Sequence, residues 1–189
     1  MVRIFQNITP FVAATALFLS IMASPASAQT DTQELDALYA QLLEPVDGNW
    51  RAVEKRIQKA WSVSGSDAMD LLLERGRRAM QSGDLEKAVE HLTALTDHAP
   101  EFAEGWNARA TAFFMMEEFG LSVADIQTTV TLNPHHFGAL AGLGMIYEHL
   151  DRPEAALKAY RAAHDIHPHR PNLESAIERL EEKTQGTSL

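Results

Sequence analysis

From residue 69 to residue 168 the apolar positions recur every third or fourth residue. Ala88, Leu92 and Leu95 fall at i, i+4 and i+7, and Ala156, Tyr160 and Ala163 repeat that spacing. Such a period puts each set on one face of an α-helix. Pro100, Pro134 and Pro168 stand thirty-four residues apart. Proline cannot continue a helical hydrogen-bond ladder and disfavours helix in the residue before it, so Asn133-Pro134 and His167-Pro168 read as helix stops. Aligned on these prolines, Gly76, Ala110 and Gly144 fall in phase, as do Ala88, Ser122 and Ala156. Small residues at both places let two antiparallel helices approach closely. Large apolar residues keep phase too: Leu72, Trp106 and Leu140, then Leu92, Ile126 and Tyr160. The pattern predicts three helical hairpins between Met69 and Pro168. Residues 172–183 then put Leu173, Ile177 and Leu180 on one face with charges opposite. That predicts one capping helix, which a solenoid needs over its last apolar face. Residues 184–189 are expected to fray.

The N-terminal side is less regular. Residues 35–43 and 50–61 read as two helices around a turn at Pro45 to Asn49, with Trp50, Val53, Ile57 and Trp61 in one stripe. Such a stripe packs a neighbour more often than it cages a ligand. Residues 29–65 are therefore expected to form a helical flank or a degenerate leading repeat, and residues 66–183 the repeat domain. Ser66-Asp67 is expected to cap the first full unit. Residues 1–28 read as a signal peptide. Arg3 starts it, residues 11–23 supply an apolar run too short to span a bilayer, and Ala26-Ser27-Ala28 supplies the small residues a signal peptidase reads. Cleavage is expected after Ala28, with the bacterial periplasm as the destination.

Composition removes several function classes. The chain has no cysteine, so disulfides, thiolate metal sites and cysteine nucleophiles are excluded. A formal net charge of -10 disfavours partners such as nucleic acid or an anionic membrane surface. No glycine-rich phosphate loop, G-x-S-x-G elbow or H-E-x-x-H motif is present, so neither an enzyme nor a cofactor is expected. The histidines are the remaining candidates for chemistry. His98, His135, His167 and His169 all lie beside a unit-ending proline, and His136 adjoins His135. No acidic residue completes a tetrahedral set at an established spacing. The reading is of solvated turn histidines, with no metal site.

The thirty-four-residue phase resembles the tetratricopeptide-repeat (TPR) family, whose W-L-G-Y-A-F-A-P pattern has this period. The third unit matches best, with Leu140, Leu143, Gly144, Tyr147, Ala156, Tyr160, Ala163 and Pro168 in place. The first carries the turn Gly83-Asp84 before Leu85-Glu86-Lys87-Ala88. The second departs most, with Ser122 where alanine is usual and Thr129 where a small apolar residue is usual. Arg75 and Arg109 occupy the phase that Leu143 fills in the third unit, either as snorkelling side chains paired to nearby acids or as a basic rim.

The resemblance implies an all-α, TPR-type helical-hairpin solenoid with three full repeats, a degenerate N-terminal helical hairpin and a C-terminal capping helix. It also implies a non-enzymatic adaptor or scaffold that binds a protein or peptide in a groove lined by the first helix of each unit. Carried over by phase, the groove positions are Arg77; Glu104, Asn107, Thr111, Phe114 and Met115; Met145, Glu148 and His149; and Arg179 from the cap. The carboxylate clamp of cytosolic TPR co-chaperones is not reproduced: Arg77 holds one basic clamp position, while Leu73, Ala108, Gly138 and Gly142 hold the others. A self-associating subunit of an envelope assembly is the alternative use, and a histidine metal-binding protein ranks third.

Overall fold

Each thirty-four-residue unit becomes a pair of antiparallel helices because its two small positions lie where the helices touch. The computed structural model describes residues 26–186. Most of the expected signal peptide, up to residue 25, and the final three residues of the expected tail therefore lie outside the described residues. The repeats are α3 (Asp67–Gln81) with α4 (Leu85–His98), α5 (Ala103–Met115) with α6 (Phe119–Leu132), and α7 (Phe137–His149) with α8 (Pro153–Ile166). A Cβ on Gly76 would lie 2.5 Å from Leu92 Cγ, and one on Gly144 would lie 2.5 Å from Tyr160 Cε1. In the middle hairpin Ala110 takes that place, and the Ser122 hydroxyl opposite donates to the Ala110 carbonyl at 2.7 Å. The serine is thus buried with its polar atom satisfied, which is what a core position demands.

The turn inside each hairpin has one geometry. Gly83, Glu117 and Asp151 adopt positive φ after the first helix. The next residue's N–H then closes on the carbonyl five residues back: Asp84 on Ala79, Glu118 on Phe113 and Arg152 on Tyr147. This satisfies helix-end carbonyls that would otherwise have no partner. Ser66 does stand at the N-terminus of α3, but its hydroxyl makes no cap bond. Instead Ser64 donates its N–H (2.8 Å) and Oγ (2.6 Å) to Asp70 Oδ1, which ties the preceding linker down.

The core runs through the hairpins as successive layers. Leu73, Leu92, Leu95 and Ala108 form one, Ile126, Ala139 and Ile146 the next, and Ala156, Tyr160, Ala163, Leu173 and Leu180 the last. The last layer includes α9 (Leu173–Gly186), the capping helix, which runs three residues past the expected end at Lys183. Arg109 is a long cation built into this stack. It holds Asp125 through Nε (2.7 Å) and Nη2 (2.9 Å), donates to Thr96 Oγ1 at 2.9 Å, and lies 4.8 Å from the Trp106 ring centre. Arg109 therefore ties α4, α5 and α6 together and forms no rim, whereas Arg75 stays exposed.

The N-terminal flank is present as α1 (Ala26–Leu43) and α2 (Trp50–Trp61), joined by a tight turn in which Asp47 and Gly48 have positive φ. It does not stack in front of α3 as a leading repeat. α1 packs on α2 and reaches α8, and Leu38, Leu42 and Ile57 are buried together with Phe137, the first residue of α7. The sequence gives the reason. The positions in phase with Gly76 and Ala88 hold Leu42 and Glu54, so the close crossing that defines a repeat cannot form there. The hairpin instead folds back across the solenoid's inner side.

Candidate functional site

The first helices α3, α5 and α7 line the inner surface, and their side chains divide it into three zones. The first zone is a polar knot at the start of α5. Glu104 is only 7% exposed, so its carboxylate requires partners. It receives Asn107 Nδ2 at 3.1 Å, His136 Nε2 at 2.9 Å and the Arg77 guanidinium. His136 Nδ1 accepts the Ala139 N–H at 3.0 Å and so caps α7. That leaves Nε2 to carry the proton donated to Glu104, a tautomer fixed by the bonding pattern. Arg77 also donates to Ser62 Oγ at 3.1 Å, just beyond the end of α2.

The second zone is open. Between α5 and α7 lies a cavity of about 320 Å³ lined by Asn107, Thr111, Phe114, Ile126, Met145, Ile146 and the helical glycines Gly138 and Gly142. The glycines leave it room, since a Cβ on Gly142 would meet nothing nearer than Ile126 Cδ1 at 3.9 Å. Asn107 and Arg170 also border a second cleft of about 590 Å³ between α2 and the solenoid, whose walls include Lys55, Lys59 and Trp61. Lys55 and Lys59 are exposed on that wall, so this part of an acidic protein is locally basic.

The third zone is self-paired. Glu148 Oε1 accepts from Arg179 at 2.6 Å and Oε2 from the Tyr160 hydroxyl at 2.8 Å. The Arg179 bond holds the Glu148 carboxyl below its usual range, while burial and then the Glu148 acceptor push the Tyr160 hydroxyl well above its own. His149 lies 4.5 Å from the Phe119 ring.

The phase-derived candidates therefore divide among these zones. Arg77, Glu104 and Asn107 meet in the knot, and Asn107, Thr111, Phe114 and Met145 share the open cavity. Met115 is exposed at the end of α5 but lines neither space. Glu148 and Arg179 bind each other at the junction of α7 and α9, away from both, and His149 stays with Phe119. Sequence reasoning missed Ile146, His136, Arg170 and the α2 lysines as lining. Gly138 and Gly142 were visible only as vacant clamp positions.

The turn histidines correct a clearer expectation. They are not uniformly solvated: His136 and His167 are 2% and 0% exposed. The cover is the N-terminal hairpin. Trp61 stacks on His136 with ring centres 4.2 Å apart, Tyr39 lies 4.6 Å from His135, and Trp50 meets His167 edge-on at 5.4 Å. His169 Nε2 sits 3.3 Å from the Leu43 carbonyl, and Trp61 Nε1 donates to Tyr39 at 3.0 Å. Four histidines from two inter-repeat turns thus form a seam under one hairpin. Among the described residues, no group of three or more His, Asp or Glu side chains is placed to hold a metal ion.

Stacked helical hairpins with an inner groove, small residues at each crossing and a capping helix define a helical-repeat solenoid. A family model described as "Tetratricopeptide repeat" matches residues 73–121 and again 108–171, and the chain belongs to that family. It is 30% identical over 94% of its length to a TPR repeat-containing protein of Rhizobium etli, of which it covers 88%. Among solved structures it is similar to the first TPR of Spaghetti (RPAP3) bound to the HSP90 peptide SRMEEVD, with TM-score 0.61 and 22% identity over 64% of this chain and 95% of that one. It is also similar to the Yersinia enterocolitica type III secretion chaperone SycD in complex with a peptide of the translocator YopD, with TM-score 0.60 and 14% identity over 63% of this chain and 96% of that one.

Proposed function

We propose that this chain is a non-enzymatic scaffold of the bacterial periplasm that binds an extended segment of a partner protein along the inner faces of α5 and α7. The cavity between those helices carries the reading. Asn107 offers an amide that can pair with a peptide backbone as both donor and acceptor, and Phe114 and Met145 offer adaptable apolar contact beside it. Support comes from two structural neighbours that are peptide complexes. The periplasmic address rests on Arg3, the apolar run of residues 11–23 and Ala26-Ser27-Ala28. Removal of residues 1–28 would leave the hairpin seam intact, because its described contacts begin at Glu34 and Leu35.

Site-specific photo-crosslinking in intact cells tests this reading. A crosslinker at Thr111, in the groove, is expected to give discrete protein adducts, while one at the exposed Lys158 on the outer helix α8 gives none. Gly142→Leu puts a side chain into the cavity, its Cβ in ordinary contact with Ile126 Cδ1 at 3.9 Å, and should remove the Thr111 adducts. Adducts to a second copy of this chain would instead assign it to a self-assembling subunit. Equal labelling from both faces, or none from Thr111, sinks the groove reading.

A further inference from the structure

The hairpin seam combines two features that do not coexist in an ordinary core. It buries a titratable side chain with no hydrogen-bond partner, and it closes over the solenoid's inner surface. His167 is fully buried, and neither Nδ1 nor Nε2 has a partner. The nearest acceptor, Glu54 Oε2, lies 3.7 Å away on α2, outside hydrogen-bond range. Apolar rings complete the enclosure, with Trp50 from α2 and Phe137 from α7, the latter at 4.9 Å.

We infer that the α1–α2 hairpin is a proton-responsive cover of the Arg77–Glu104 end of the inner surface, the cleft beside the open cavity, seated while His167 is neutral and released when that imidazole is protonated. A neutral ring tolerates this enclosure at the cost of its missing bonds. An imidazolium would bury two charged N–H groups with Glu54, 3.7 Å from Nε2, as a distant counter-charge and no partner at Nδ1. The surrounding charges do not rescue it. Glu54 attracts, but Arg170 Nη1 stands 3.6 Å from the same carboxylate and repels the ring, as does His169. On the other packed elements, Glu104 of α5 is held by Arg77 and His136, and Asp36 of α1 acts on Tyr39. Burial outweighs Glu54, so the His167 pKa is lowered from its ordinary value.

The docked state binds fewer protons than the released state, in which the ring is hydrated and titrates near ~6.5. Docking is therefore strongest above that pH and weakens as the pH falls through it. Trp50 and Glu54 belong to the same helix, so one movement of α2 hydrates the ring. That movement also withdraws Trp61 from His136 and opens the wall in front of Arg77 and Asn107. The linker through Gly65, tied down by Ser64 and Asp70, keeps the released hairpin attached.

The full chain carries its own reporters, since Trp50 and Trp61 lie in the seam and Trp106 can be replaced by phenylalanine. Lowering the pH from 8 to 5.5 is expected to shift tryptophan emission to the red and raise acrylamide quenching several-fold, with far-UV circular dichroism unchanged. Hydrogen exchange of α1 and α2 in the unsubstituted chain should show the same opening. His167→Phe keeps the seam filled and should flatten the response. Glu54→Gln removes the attraction that partly offsets burial and should enlarge it. A pH-independent emission, an undiminished response in His167→Phe, an equal or smaller one in Glu54→Gln, or concurrent loss of helicity would each overturn the inference. No groove ligand enters these measurements, so their failure leaves the peptide-binding reading standing, and the reverse also holds.

Discussion

Arg109 stands where Leu143 stands in the next unit, and its surroundings have changed to suit it. Asp125 takes its guanidinium in a two-pronged bond and Thr96 takes a third donor. Removing one member of such a buried pair strands the other charge at a cost of about 3–5 kcal/mol. Arg109→Ala is therefore expected to lower stability by that amount in urea unfolding; a loss under 1 kcal/mol would mean that Asp125 is hydrated after all. Gly144→Ala tests the opposite extreme, one methyl group driven into the Tyr160 ring, with an expected loss of about 1–3 kcal/mol. The glycine's role was legible in the sequence because crossing positions keep the repeat period. The Arg109–Asp125 bond was legible only in outline: pairing to a nearby acid was one of two readings of the charge in an apolar phase, and which acid depends on the register of two helices. His136 and His167 were misread for a related reason. A histidine beside a turn proline looks solvated until a segment from far earlier in the chain is laid over it.

At the scale of elements, the solenoid and the hairpin hold together by different contacts. Ile57 is fully buried between α1, α2 and Phe137. Truncating it to alanine should cost about 2–5 kcal/mol. That loss should fall on the hairpin alone, because none of the three repeat layers includes Ile57. Hydrogen exchange is expected to rise across α1 and α2 in Ile57→Ala and stay unchanged in α3 to α8; uniform loss of protection would instead make the chain one cooperative unit. The amphipathic stripe of Trp50, Val53, Ile57 and Trp61 announced that α2 would pack on something. It could not say what, because periodicity names a buried face and not its partner. Leu42 and Glu54, out of keeping with the small positions of a repeat, were the available sign that the partner was not α3.

Across the whole molecule, near-neighbour packing builds the solenoid, and one distant closure completes it. The contact between Leu43 and His169 joins residues 126 apart in sequence, whereas each repeat touches chiefly the next. Local contacts form quickly and distant ones pay loop-closure entropy first. Refolding is expected to show fast recovery of helicity, followed by a slower phase in the emission of Trp50 and Trp61; simultaneous recovery would contradict this order. During synthesis the same asymmetry becomes a matter of timing. The hairpin precedes the three repeats in the chain, yet the surface that receives it is complete only when the third repeat has arrived. Until then Trp50 and Trp61 lack the histidine rings they pack against, apolar side chains of the kind that holding chaperones recognise.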